Sequence, residues 1–152
     1  MKLEWDVIVV GAGPAGCFTA KQIAAFGYKV LIIEEHEEIG EPVQCAGLIS
    51  PRAMEIAEAG KKLVINNLTG LRVFSPLDAN LFSVSTNILA QAIDRPAFDK
   101  ELAAKAEAAG ANLLAGTKVD GVEAIAGGYR VAAVGKNYKD MKISTRLLIG
   151  AD

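Results

Sequence analysis

Histidine and cysteine are almost absent from this 152-residue chain: it has one histidine, His36, and two cysteines, Cys17 and Cys45. The shortage excludes a disulfide-stapled scaffold and leaves no Cys/His spacing of the kind that holds zinc. With no nucleophile or carboxylate at a recognisable spacing from the single histidine, no Ser-His-Asp triad, metal or paired-carboxylate site can be assembled. His36 is therefore assigned to a loop. Charge of one sign is lacking too. Against 18 acidic residues stand 16 basic ones, and with no basic stripe nucleic acid is excluded as a partner class. No apolar run is long enough to span a bilayer, and no cationic segment with an apolar stretch behind it marks a cleavable leader. Two isolated cysteines fit a reducing compartment, so a cytoplasmic location is expected. Neither an internal repeat nor a low-complexity linker divides the sequence, and its length suits one domain, 1–152.

Glycine, by contrast, is plentiful, with 15 residues, and its informative cluster lies near the start. Asp6-Val-Ile-Val-Val10 runs directly into Gly11-Ala-Gly13-Pro14-Ala15-Gly16, and an alanine-rich helical segment follows. This is a dinucleotide-binding fingerprint in its proper setting, strand before and helix after. Gly11 permits the tight turn, Gly13 lets a pyrophosphate approach the backbone, and Gly16 allows close helix packing. The helix N-terminus offers N–H groups to phosphate, Ala20 is a small residue for the sheet-facing side, and Gly27 ends the helix. A second strand, Lys29-Val-Leu-Ile-Ile33, delivers Glu34 about 20 residues beyond the glycines, where a carboxylate accepts from both ribose hydroxyls of an adenosine. That charge repels the 2′-phosphate of NADP, and Glu35, Glu37, Glu38 and Glu41 behind it add to the repulsion. FAD or NAD remains.

Further on, Ser50-Pro51 reads as an N-cap with proline in the first turn of a short helix that ends near Gly60. From Leu68 the period becomes two, and residues 71–74, 81–84 and 89–93 read as three short strands with turns at Ser75-Pro76 and Asp78-Ala-Asn80. Pro96 opens a helix over 98–109 with Phe98, Leu102 and Ala106 on one face and Gly110 as the stop. Strands are expected at 112–114, 119–125, 129–134 and 141–149, the middle two joined as a hairpin around Gly127-Gly128. The fold class is α/β, a Rossmann-like FAD/NAD(P)-binding fold. Its parallel sheet is nucleated by the first two strands, and a three-stranded antiparallel meander is inserted on the crossover side without joining that sheet.

The sequence resembles the geranylgeranyl reductase family of FAD-dependent oxidoreductases, relatives of the aromatic hydroxylase flavoproteins. The resemblance rests on the glycine motif, Glu34, Glu41-Pro-Val-Gln-Cys-Ala-Gly47, Asp94-Arg-Pro-Ala-Phe-Asp99 with Leu102 and Ala103, and Leu148-Ile-Gly-Ala-Asp152. It implies FAD as cofactor and an enzyme that uses reduced flavin to saturate isolated double bonds of polyprenyl lipids. The electron donor, ferredoxin or a nicotinamide nucleotide, leaves no motif here. Members of the family are longer, so this chain resembles their N-terminal part. On its own it is expected to bind FAD without turning over, any peripheral membrane contact belonging to the remainder. Alternative readings are a fragment of an FAD-dependent monooxygenase and a non-catalytic nucleotide-binding module.

The resemblance also implies roles for single residues. Cys45 belongs to a loop passing near the flavin ring and is a candidate for the chemistry, with Ala46 and Gly47 beside it. Cys45-Ala-Gly47 is less glycine-rich than the usual family loop. Arg95 reaches the ribityl or phosphate region, a role favoured over the competing one of a surface pair with Asp99. Asp152 meets the ribityl or pyrophosphate part of FAD. The candidate cofactor-binding set is Gly11, Gly13, Pro14, Ala15, Gly16, Glu34, Glu35, Cys45, Ala46, Gly47, Arg95, Val119 and Asp152, and Cys17 is assigned to core packing.

Overall fold

The computed structural model describes residues 3–76, 80–136 and 138–152. Its elements follow in the order β1 (Trp5–Val10), α1 (Pro14–Ala25), β2 (Val30–Ile33), β3 (Leu48–Ile49), α2 (Pro51–Ile56), a 3-10 turn (Lys61–Leu63), β4 (Val64–Leu68) and β5 (Gly70–Phe74). Then come β6 (Asn80–Val84), β7 (Ala90–Ile93), α3 (Arg95–Ala108), β8 (Asn112–Leu114), β9 (Thr117–Ile125), β10 (Gly128–Gly135) and β11 (Tyr138–Gly150). Two compact units result, one of Met1–Pro42 with Asp99–Asp152, the other of Val43–Phe98.

The first unit is built on a six-stranded sheet of order β8-β2-β1-β11-β10-β9. β8, β2, β1 and the last part of β11 are mutually parallel, whereas β9 and β10 continue antiparallel beyond β11. β1 and β2 are near-continuous runs of β-branched and leucine residues because both faces of a parallel strand are covered. On one face Ile8, Leu31, Ile33, Val131 and Ile143 form a cluster joined by Trp5, Val10, Leu114, Val119, Met141 and Leu148. α1 packs on β1 and β2 and buries Cys17, Ala20 and Ala24, small side chains that let a helix approach closely. β11 serves two partners in turn: Ile143 faces Val131 of β10, and Leu147 to Ile149 face Val7 to Val9 of β1. Thr145 stands at the change of partner, paired with both Trp5 and Tyr129.

In the second unit the expected three-stranded meander is corrected. β5 and β6 pair only with each other, while β7 joins β3 and β4 in a separate sheet of order β3-β7-β4. The physical reason lies between β6 and β7. Ser85 N donates to Thr69 O at 2.7 Å and Leu89 N to Leu68 O at 2.8 Å, so the returning chain stays beside the arm it came from. β4 with β5 and β6 with β7 are thus two arms of one long hairpin, and β6 and β7 succeed each other along one arm. The expected separation from the parallel sheet holds, since neither β5, β6 nor β7 pairs with β1. Most of the expected Asp78-Ala-Asn80 turn lies outside the described residues. Ser50 caps α2 as expected, its Oγ accepting from Ala53 N at 3.1 Å, but the helix stops at Ile56. α3 begins at Arg95, one turn earlier than its apolar face suggests, because Asp94 Oδ1 accepts from Ala97 N at 3.0 Å and caps it.

Candidate nucleotide-binding site

The carboxyl ends of β1, β2 and β11 lie side by side, and each carries a residue singled out in the sequence: the glycine loop, Glu34 and Asp152. The ends are stitched together by Gly11 N donating to Ile33 O and Ala151 N donating to Val10 O, both at 2.8 Å. Chain order reverses here, with β1 leading through α1 to β2 on one side while β11 flanks it on the other. In open α/β sheets such a switch point opens a crevice where nucleotides bind.

Within the loop the three glycines differ. Gly11 has φ +99°, and a Cβ there would stand 2.5 Å from Ala151 O. A Cβ on Gly16 would stand 2.0 Å from Gly11 O, so its smallness lets the first turn of α1 close on the loop. Gly13 has an ordinary backbone, φ −69° and ψ 179°, and a Cβ on it would meet nothing within 4 Å. The space beside Gly13 is open. Gly13 is also the N-cap of α1 and brings no side chain to satisfy the first-turn N–H groups, no acidic residue occupies that turn, and Pro14 fills its first position. Ala15 is exposed at the mouth. A helix start without a side-chain cap, ending in open space, suits an anion.

Glu34 leaves β2 with its backbone clamped, its N–H donating to Leu114 O at 2.9 Å and its carbonyl accepting from Thr117 N at 2.8 Å. Its carboxylate is 13% exposed. Oε2 accepts from Ala12 N at 2.7 Å, and Oε1 accepts from His36 N at 2.9 Å and lies 2.8 Å from His36 Nδ1. Burial works to raise its pKa, but the donors from Ala12 and His36 and the imidazole charge prevail and hold it below the ordinary carboxyl value. A carboxylate has about four acceptor positions, so three donors leave one of them on Oε2 for a ligand hydroxyl. His36, assigned to a loop from the sequence, is thus part of the site. The legible signal was its place two residues after the strand-ending glutamate.

Three of the glutamates behind Glu34 are paired at the surface. Glu35 meets Lys118 at 3.2 Å, Glu38 meets Lys100 at 3.5 Å, and Glu37 meets Lys136. Val119 sits in β9 opposite Ala133 and packs on the core cluster. Asp152 is exposed, and its N lies 2.8 Å from the Cβ position of Gly11.

The remaining candidates belong to the second unit, where two separate sequence motifs meet. Gly47 O accepts from Ile93 N at 2.9 Å. Gly47 is buried with φ +69°, and a Cβ there would lie 2.6 Å from Ile93 O and 3.2 Å from Arg95 Cγ. Arg95, half-buried, therefore runs across a glycine that leaves room for it. Cys45 and Ala46 are exposed just before it. Cys17 is buried, and the two thiols form no disulfide. Among the described residues no cluster of His, Cys, Asp and Glu could hold a metal ion, and no helix is long and apolar enough to cross a membrane.

A family model described as an FAD binding domain matches residues 4–152. Among curated proteins, the digeranylgeranylglycerophospholipid reductase of Methanocella arvoryzae is 37% identical over 100% of this chain and 40% of its own length. The protein of the same name from Methanosarcina mazei is 34% identical over 100% of this chain and 38% of its own. The chain thus spans about two fifths of the length of these relatives. A geranylgeranyl bacteriochlorophyll reductase-like protein from Thermoplasma acidophilum has a crystal structure that superposes with a TM-score of 0.85 at 31% identity, covering 97% of this chain and 39% of that one. Aklavinone-11 hydroxylase, solved with FAD and aklavinone, superposes with a TM-score of 0.75 at 21% identity, covering 100% of this chain and 33% of that one; this is a likeness of fold.

Proposed function

Because the chain belongs to the FAD binding domain family, we propose that it is the FAD-holding part of a flavin-dependent reductase that saturates the double bonds of polyprenyl lipids. The observation that carries this reading is the meeting of the glycine loop, Glu34 and Asp152 at the carboxyl ends of adjacent parallel strands. These residues fit the cofactor. Gly13 leaves open the space a diphosphate needs, and Glu34 keeps an acceptor for a ribose hydroxyl.

The chemistry that FAD held by these residues would supply, once reduced, is a hydride for one alkene carbon while a proton reaches the other. The chain's own groups bind and orient the cofactor. The first-turn N–H groups of α1 hold the diphosphate, with Gly11, Pro14, Ala15 and Gly16 shaping the approach. Glu34 accepts from the adenosine ribose, and its ionised state turns away a 2′-phosphate. Asp152 serves the ribityl or diphosphate portion. Arg95, Gly47, Ala46 and Cys45 are assigned to the flavin end, with Arg95 as the anion-binding group. Lipid specificity is supported by the likeness to digeranylgeranylglycerophospholipid reductases over the whole chain.

Calorimetric titration of the 152-residue chain with FAD and ADP tests the binding part, and absence of heat with both rejects it. Mass spectrometry of a geranylgeranyl lipid after incubation with chain, FAD and dithionite tests the division of labour. Nucleotide binding without alkene saturation is the expected result, whereas sustained turnover places the whole catalytic constellation within these residues.

A further inference from the structure

Cys17 has no part in the function proposed above, yet its thiol does more than fill space. It is fully buried, and Sγ donates to Ala12 O at 3.0 Å. Ala12, 2% exposed, has its N–H held by Glu34 Oε2. Both backbone polar groups of the residue between Gly11 and Gly13 are therefore gripped by side chains, one from β2's end and one from α1. The carbonyl of Ala12 and the N–H of Gly13 belong to one planar unit and point in opposite directions across a trans bond. Drawing the Ala12 carbonyl down to the buried thiol turns the Gly13 N–H away from the interior. Gly13 in turn borders open space, with nothing within 4 Å of its Cβ position.

We propose that Cys17 is a positioning residue of the phosphate-binding loop, its thiol locking the Ala12–Gly13 peptide so that the Gly13 N–H is presented to the diphosphate. This rests on the FAD-binding reading. A donor in this place must stay protonated. Burial, and after it the carboxylates of Asp99, Glu34 and Glu107, pushes the thiol up to about 12, so the S–H persists at every pH where the protein is handled. The same burial makes it a poor nucleophile.

The test compares Cys17→Ala and Cys17→Ser in the full 152-residue chain, titrated with ADP and with adenosine. Adenosine reads the ribose and base contacts alone, while ADP adds the diphosphate. Cys17→Ala, which removes the donor, lowers ADP affinity about 3- to 10-fold and adenosine affinity by less than about twofold. Cys17→Ser keeps a donor on a shorter bond and falls between. Equal losses for the two ligands, or a lowered melting temperature with unchanged affinities, mean that Cys17 only packs, and overturn the proposal. Should Cys17→Ala not fold, the Gly13 amide decides in the unsubstituted protein: its proton–nitrogen NMR resonance shifts on ADP binding, and an amide indifferent to ADP overturns the proposal. Failure of the unsubstituted chain to bind either ADP or FAD rejects the FAD-binding reading itself, an outcome distinct from equal losses.

Discussion

Gly13→Ala separates what the fold needs from what the ligand needs. The backbone at Gly13, φ −69° and ψ 179°, is one that alanine adopts freely, and the added methyl meets nothing within 4 Å. Two small effects on stability oppose each other. Alanine narrows the unfolded ensemble and stabilises by about 0.4–1 kcal/mol, but it is a poorer N-cap than glycine by a similar amount. The net change should stay within about 1 kcal/mol of zero, visible as a nearly unmoved urea midpoint. Binding is another matter. If a diphosphate occupies the open space, the methyl stands in its path, and overpacking costs about 1–3 kcal/mol. That corresponds to roughly 5- to 150-fold weaker affinity for FAD and ADP. The assay is urea denaturation of both proteins followed by calorimetric titration with ADP. A variant that binds ADP as well as the parent refutes the placement of the diphosphate at Gly13, and one that loses stability heavily refutes the claim that the fold tolerates a side chain there.

Gly16→Ala should behave in the opposite way: its Cβ would stand 2.0 Å from Gly11 O, a backbone atom that cannot step aside, so a loss of about 3 kcal/mol or more in urea unfolding is expected before any ligand is added. Glu34→Gln replaces an acceptor-only group by one that must aim an N–H at either Ala12 or His36, and should weaken ADP binding by about 1–3 kcal/mol in titration. Since the folded pKa of Glu34 lies below the ordinary carboxyl value of 4.5, its contribution to stability is present above that value and lost as pH falls through the lowered one. Acid titrations of parent and Glu34→Gln should therefore converge at low pH, and parallel curves throughout would show that Glu34 is not the group responsible. Adenosine 2′,5′-bisphosphate should bind more weakly than AMP to the parent protein, because the ionised Glu34 faces the extra phosphate; equal affinity in competition titrations would remove Glu34 from the ribose site.

How much of this was legible in the sequence depends on whether the signal was local. β1 and β2 announced themselves because strands covered on both faces are unbroken apolar runs, and Glu34 followed from the end of the second run. The β9–β10 hairpin at Gly127-Gly128 was equally local. The expected meander gives way to two separate sheets because pairing there is decided by hydrogen bonds at Thr69, Ser85 and Leu89, residues with no strand pattern of their own. β4 carries Asn66-Asn67, which reads as a turn, and β3 is only two residues long, so neither offered the periodicity on which strand recognition rests. His36 stayed hidden for a related reason. A lone histidine has no spacing to match, and its bond to Glu34 appears only once the chain bends after β2.

In the glycine loop one letter occurs three times for two different reasons. Gly11 and Gly16 are demanded by the protein: the first by its positive φ and the neighbouring Ala151 carbonyl, the second by the carbonyl of Gly11 itself. Gly13 is demanded by nothing within the described residues around it. As an N-cap, glycine recovers against alanine about what its extra conformational entropy costs, so the fold itself is nearly indifferent between the two at this position. That indifference beside open space at the start of α1, flanked by an acceptor on Glu34 and an Ala12 peptide held on both sides, is what a binding loop looks like before its ligand arrives. The sequence pattern points to the loop and to the part each glycine plays; the surroundings of each Cβ position give the physical reason for it.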